Sequence, residues 1–122
     1  MHHTPGHFEI PADDVEALAT FYKGLFGWKI EKAPGPMEYW MIETAPQGQG
    51  VNGGMMKRQM PQQQMLVFFN VESIDQYVKK VKDLGGQVIV EKHAVPKMGY
   101  FAVVMDPQRN PFAMWETNPS AA

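Results

Sequence analysis

The chain has 122 residues, which is the length of one domain. Its formal net charge is -2 and its sequence pI is near 6.0, and it has no basic stripe that would attract nucleic acid or an anionic membrane. It has no cysteine, so a disulfide framework and a thiol nucleophile are excluded. Its first residues form no apolar signal segment, and no apolar run reaches the roughly 18 residues of a membrane span, so we expect a cytoplasmic protein.

Polar and apolar side chains alternate over residues 6–10, which is the period of a β-strand. His7 and Glu9 fall on one face of this strand, whereas Phe8 and Ile10 fall on the other. We expect the apolar pair to face a helix-covered core. His7 and Glu9 then form either a general acid/base pair or a hydrogen-bonded polar pair.

A helix is predicted after this strand. Asp13 is a candidate N-cap, with Glu16 three positions later completing a capping box. Gly27 supplies the C-terminal stop. The apolar stripe of the helix comprises Val15, Leu18, Ala19, Tyr22, Leu25 and Phe26.

Three further strands, at residues 28–31, 39–44 and 51–57, complete a strand–helix–strand–strand–strand module over residues 7–57. Residues 58–64 are polar and interrupted by proline, which is typical of a linker. A second module over residues 65–117 repeats the same order, with Ser73 as the helix N-cap. The sequence of residues 7–31 recurs without a gap at residues 66–90, which indicates duplicated supersecondary units.

The ordered set of segments resembles the vicinal oxygen chelate superfamily, which includes glyoxalases, bleomycin-resistance proteins and extradiol dioxygenases. The resemblance is carried by HFEIPADDVEALATFYKGLFGWKIE, GGMM, LVFFNVESID and GYFAVVMDPQRNPFAMWE, in that order. It implies one glyoxalase-like domain over residues 1–122 with an α+β fold. In that fold two tandem βαβββ modules form curved mixed sheets around a cleft, with the helices outside. It also implies a homodimer.

Metal-using members of this superfamily take four ligands from the first and last strands of the two modules. In this sequence those positions fall on His7, on the region of residues 54–56, on Leu66 and on Ala113. Only His7 can ligate, and a catalytic metal typically needs three protein ligands. We therefore predict no cofactor. A divalent metal at a degenerate site around His7 is the alternative. Glu116 is placed on the opposite strand face from Ala113 by the two-residue period.

The predicted function is metal-independent binding of a small, largely apolar molecule in the cleft between the modules. Two polar residues would orient the ligand and the others would pack against it. The candidate residues are His7, Glu9, Trp40, Met56, Phe68, Tyr100 and Trp115. The sequence leaves two alternatives open: a metal-dependent lyase, isomerase or dioxygenase that uses His7, and a structural or interaction protein whose cleft is filled. The ten methionines fit either a soft core or an adaptable pocket.

Overall fold

A computed structural model describes residues 2–122, which divide into two compact units. The first unit comprises residues 7–65. The second comprises residues 66–122 together with the N-terminal residues up to Gly6. Each unit contains one helix and a four-stranded mixed sheet, so the predicted α+β class and the two βαβββ modules are confirmed.

The first unit is built from the part of β1 that follows Gly6 and from α1, β2, β3 and β4. Their bounds are β1 Pro5–Ala12, α1 Val15–Phe26, β2 Lys29–Lys32, β3 Tyr39–Glu43 and β4 Gly53–Lys57. The strands lie in the order β2-β3-β4-β1. β1 runs parallel to β4, and the other neighbours are antiparallel. The parallel pair requires a long crossover between β1 and β4, and α1 lies within it.

The core of the first unit lies between α1 and one face of the sheet, which we call the helix face. Its buried members are Ile10, Ala12, Ala19, Ile30, Ile42 and Met55. The predicted apolar stripe of α1 is buried only in part, because Leu25 and Phe26 keep 56% and 57% of their surface exposed. The ring of Phe26 packs at the end of the helix against Trp28, with ring centroids 4.9 Å apart.

The N-cap of α1 differs from the prediction by one residue. Asp14, not Asp13, is the cap, and its side chain accepts a hydrogen bond from the Ala17 N–H at 3.1 Å. Asp13 is instead paired with Arg58, whose Nε lies 2.9 Å from its carboxylate. This ion pair draws Asp13 away from the helix and towards the start of the predicted linker. At the other end, Gly27 takes the left-handed conformation (φ 71°), as predicted.

The second unit repeats this arrangement. Its elements are β5 Leu66–Asn70, α2 Ile74–Asp83, β6 Gln87–Val95, β7 Gly99–Met105 and β8 Pro111–Thr117, with strand order β5-β8-β7-β6. The core under α2 comprises Val71, Ile74, Val78, Ala102, Val104 and Met114. Ser73 caps α2 as predicted, accepting the Gln76 N–H at 3.2 Å. Among residues 2–122, no helix has the length and apolar character needed to cross a membrane.

Candidate functional site

The face of the first-unit sheet opposite α1 carries three hydrogen-bonded side chains, which we call the triad: His7, Tyr39 and Glu9. The Tyr39 hydroxyl lies 2.7 Å from His7 Nε2 and 3.0 Å from Glu9 Oε2. The rings of His7 and Tyr39 are nearly parallel, with an interplanar angle of 18°. All three side chains are half-buried. We call this face of the sheet the triad face.

Strand periodicity explains why these side chains meet. His7 and Glu9 are two residues apart on β1 and therefore share a face, as the sequence predicted. Tyr39 is the first residue of β3, and it pairs with Met56 on β4 in the sheet register. Glu9 pairs with Gly54 on the same strand β4. The Tyr39 side chain therefore reaches across β4 to the side chains of β1.

Gly54 provides the space that this crossing needs. A β-carbon built on Gly54 would lie 1.8 Å from the Tyr39 hydroxyl oxygen and 2.0 Å from the adjoining ring carbon. Such a contact is impossible, so any larger residue would displace the tyrosine. The glycine at this position is therefore required for the close approach of a side chain.

The hydrogen-bond directions follow from the number of protons that each group carries. An ionised Glu9 carboxylate can only accept, so the single Tyr39 proton is donated to Glu9 Oε2. The tyrosine oxygen must then accept from His7, whose Nε2 carries the proton. With Glu9 ionised, the chain of donors runs from His7 through Tyr39 to Glu9.

Burial shifts the proton affinities of the triad. Desolvation raises the pKa of Glu9 above its usual value, and the hydrogen bond from Tyr39 opposes this by stabilising the carboxylate. Desolvation lowers the pKa of His7. The pKa of Tyr39 is raised far above its ordinary value by burial and by the negative charge of Glu9, so Tyr39 keeps its proton. The pKa values of His7 and Glu9 consequently move towards each other.

The structure places the other first-unit candidates on different faces. Met56 shares the triad face, since it is paired with Tyr39. Trp40 does not, because it packs against the core on the helix face, with the Lys32 ammonium 5.9 Å from the centre of its ring. Met41, which the sequence analysis did not single out, lies two residues beyond Tyr39, pairs with Gly54, and is 47% exposed.

The candidates in the second unit divide in the same way. Phe68 and Trp115 lie opposite α2 on an aromatic face that also contains Phe101, whose ring centroid is 6.4 Å from that of Phe68. Ala113 pairs with Phe68 and is fully buried. Tyr100 instead packs against the core beneath α2. Trp40 and Tyr100 therefore lie on the helix-covered faces of their sheets, contrary to their predicted placement in a cleft.

The residues at the metal-ligand positions do not fit a metal centre. Gly54 has no side chain, and the Tyr39 ring fills the space beside it. Glu116 faces α2, as the strand period predicted, and its Oε1 accepts the backbone N–H of Ile74 at 2.9 Å. The Glu116 carboxylate therefore bonds the start of α2 and does not face the side of the sheet that carries Ala113. Across residues 2–122, no group of three or more His, Asp or Glu side chains is arranged to hold a metal ion.

Two grooves of similar volume lie elsewhere in the units. One of about 350 Å³ lies beside the N-terminus of α1 and Arg58, and one of about 340 Å³ lies beside α2 and Leu84. Neither groove is lined by a triad residue. The triad face is the candidate site because of its chemistry, since only there do three half-buried titratable side chains form a continuous hydrogen-bonded chain in the described residues.

Comparison with known proteins agrees with this fold and with the order of its segments. The family model for the Glyoxalase/Bleomycin resistance protein/Dioxygenase superfamily matches residues 4–114. The chain belongs to this superfamily. A superfamily member of known structure from Vibrio splendidus 12B01 has a TM-score of 0.65 at 13% identity, covering 91% of this chain and 96% of that one. At this identity the likeness concerns the fold alone.

A curated relative is the anthracycline biosynthesis protein DnrV of Streptomyces peucetius, which is 30% identical over 127 residues. The match covers 91% of this chain and 46% of DnrV. Methylmalonyl-CoA epimerase from Mycobacterium tuberculosis is a structural neighbour with a TM-score of 0.68 at 11% identity, covering 94% of this chain and 88% of that one. The chain spans about half the length of the curated relatives that it matches.

Sequence reasoning missed Tyr39, although it identified both of the residues that Tyr39 joins. The signal available was the pair of glycines at residues 53 and 54, which predicts a close approach to the strand without naming what approaches it. Trp40 was predicted to line the cleft because it and Tyr100 occupy matching strands of the two modules. Its neighbour Tyr39 carries the polar atom that half-buried His7 and Glu9 need as a partner.

Proposed function

We propose that this chain is a metal-independent member of its superfamily that binds a small, largely apolar molecule on the triad face. The observation that carries the proposal is the position of Tyr39, whose ring lies over Gly54 and whose hydroxyl bonds both His7 and Glu9. The hydroxyl joins the two side chains that could otherwise begin a ligand set. It converts them into a fixed polar group with a defined hydrogen-bond pattern.

The surroundings of the triad favour an apolar ligand with a single polar end. Met41 and Met56 flank Tyr39 on the triad face, and both have flexible, polarisable side chains. Small-molecule sites typically combine apolar contact surface with a few polar groups that fix orientation. The triad supplies such a polar group, and the methionines supply adaptable contact. The name of the relative DnrV, an anthracycline biosynthesis protein, supports a role connected with a small organic molecule.

A metal-dependent enzyme is the competing proposal, and the donor set argues against it. Hard divalent cations take oxygen and imidazole ligands from several side chains. Here Gly54 and Ala113 offer none, and Leu66 is apolar. His7 and Glu9 are two donors already bridged by a hydroxyl that keeps its proton. A metal would have to displace Tyr39 and recruit a third ligand from outside the group.

The test uses three probes of one shape: naphthol, methoxynaphthalene and naphthoate. Binding is measured by calorimetry and by the shift in unfolding temperature for the wild type and for Gly54→Ala. A probe at a hundredfold above its Kd should add about 2.7 kcal/mol to the free energy of unfolding. We expect at least one probe to bind the wild type and to bind Gly54→Ala at least tenfold more weakly.

A measurement of metal content tests the competing metal-dependent proposal. Untagged protein is analysed for bound metal, and the unfolding temperature is compared with and without a chelator. We expect no stoichiometric metal and no shift. Stoichiometric metal that is lost together with stability on chelation would overturn the proposal, as would failure of all three probes to bind.

A further inference from the structure

The hydrogen-bond pattern of the triad also specifies the polar group of the ligand. We propose that the triad face selects a neutral molecule whose polar group is a hydrogen-bond donor, such as a hydroxyl, and rejects carboxylates. This inference rests on the proposed function and names the ligand class of the same site. It depends on which protons and lone pairs the triad has already used.

The protons of the Tyr39 hydroxyl and of His7 Nε2 are already used in hydrogen bonds within the triad. The Tyr39 proton is donated to Glu9 Oε2, and the Nε2 proton of His7 is donated to the Tyr39 oxygen. Neither proton can be offered to a ligand without breaking a bond of 2.7 Å or 3.0 Å. A ligand that brings only acceptors, such as an ether or a carboxylate, finds no donor on the Tyr39 and Glu9 side of the site.

The acceptors are in surplus. An ionised carboxylate has about four lone-pair sites, and the bond from Tyr39 uses one of those on Glu9. The tyrosine oxygen has a second lone pair beside the one that receives the His7 proton. A ligand hydroxyl placed here donates to Glu9 or Tyr39, and a bond to a charged acceptor is stronger than a bond between neutral groups.

Charge reinforces this polarity. Glu9 is half-buried, so its negative charge is less screened by solvent than a charge on the protein surface. A carboxylate ligand at hydrogen-bond distance would add a like charge and also compete for protons that the triad already uses. Anionic molecules are therefore disfavoured by charge repulsion and by the lack of an available donor, whereas a neutral hydroxyl is not repelled and can donate its own proton.

The same three naphthalene probes test the selection, because they differ only in the polar group. Naphthol can donate, methoxynaphthalene can only accept, and naphthoate is an anion. We expect wild-type protein to bind naphthol at least tenfold more tightly than either of the others, the change that loss of one charged hydrogen bond produces.

Glu9→Gln provides the decisive variant, since it removes the charge and replaces one acceptor oxygen with a donor while keeping the shape. We expect naphthol to lose about tenfold in affinity and naphthoate to gain, so that the preference narrows or inverts. Glu16→Gln makes the same chemical change on α1, where the residue is exposed, and it should leave all three affinities unchanged. If Glu9 had a purely structural role, Glu9→Gln would lower the affinity for all three probes by a similar factor.

Two results would overturn the inference while leaving the proposed function in place. One is equal or tighter binding of methoxynaphthalene or naphthoate to the wild type. The other is a Glu9→Gln variant that still unfolds in one cooperative transition and keeps the wild-type ratio of affinities for naphthol and naphthoate. Absence of binding by every probe would instead overturn the proposed function itself.

Discussion

The hydroxyl of Tyr39 occupies the space that a side chain on Gly54 would need. A β-carbon on Gly54 would lie 1.8 Å from that oxygen, so the two residues are mutually dependent. The triad can form only if residue 54 has no side chain, and a substitution there acts on the polar chemistry of β1 without touching it directly.

Gly54→Ala is expected to separate Tyr39 from His7 and Glu9. The methyl group forces the ring aside, and we expect the free energy of unfolding to fall by about 1–3 kcal/mol. Urea unfolding measures the loss. The matched control is Gly24→Ala on α1, where a β-carbon meets no atom within 4 Å, and where alanine should be neutral or stabilising by up to about 1 kcal/mol. Equal stability of Gly54→Ala and wild type would contradict the close approach.

Tyr39→Phe removes the hydroxyl and keeps the ring. His7 and Glu9 lose their shared partner, and we expect a destabilisation of about 1–2 kcal/mol. The pKa of Glu9 should rise further, because the hydrogen bond from Tyr39 is the interaction that lowers it. Carboxyl carbon NMR measures this change. Tyr100→Phe is the control, since its ring packs on the other unit's core, and it should leave the Glu9 pKa unchanged.

The stability of the protein should depend on pH through Glu9. Its pKa is raised in the folded state above the ordinary 4.5, so the folded protein holds the proton more tightly than the unfolded chain. Stability from this group is fully present below pH 4.5 and is lost as the pH rises through the folded pKa. Glu9→Gln lacks this loss. As the pH is raised from acid to neutral, the unfolding free energy of the wild type should therefore fall relative to that of Glu9→Gln.

His7 should act in the opposite direction. Burial lowers its pKa below the ordinary 6.5, so the unfolded chain binds the proton more tightly. The contribution of His7 is intact above pH 6.5 and is lost as the pH falls through the folded pKa. Imidazole proton NMR can follow this titration directly. A His7 pKa above 6.5 in the folded protein would show that the ionised Glu9, rather than burial, dominates its surroundings.

Glu116 is expected to be important for stability and not for ligand binding. Its carboxylate accepts the backbone N–H of Ile74 at the start of α2, where negative charge is favourable. Glu116→Ala should lower the free energy of unfolding by about 1 kcal/mol, the typical value of a helix cap. Its affinity for the naphthalene probes should match that of the wild type. A selective loss of binding would implicate this residue in a site instead.

Much of the fold could be predicted from the sequence because its signals are local. Strand alternation placed His7 and Glu9 together, and the left-handed glycine at Gly27 ended α1 as expected. The N-cap was displaced to Asp14 because Arg58, a residue 45 positions from Asp13, engages that carboxylate. An interaction over that separation leaves no trace in the helix sequence itself.

The candidate site was predictable only in part, for a similar reason. The period-two rule decides which residues of a single strand share a face, but it does not show which face an isolated strand turns to the helix. For β3, that ambiguity led to Trp40 in place of Tyr39. The pairing of Tyr39 with Met56 decides the matter, and it depends on the register between two strands that are joined by a nine-residue connection at residues 44–52.

The contact between Tyr39 and Gly54 also has an evolutionary consequence. A chain that gains a carboxylate or amide at residue 54 displaces an aromatic ring at residue 39 from its position over the strand, and a chain that keeps the ring there needs glycine at residue 54. Among relatives, these two positions should therefore covary. Exchange between a ring–glycine pair and a small residue–carboxylate pair would mark the lineages in which this face gained or lost the capacity to ligate a metal.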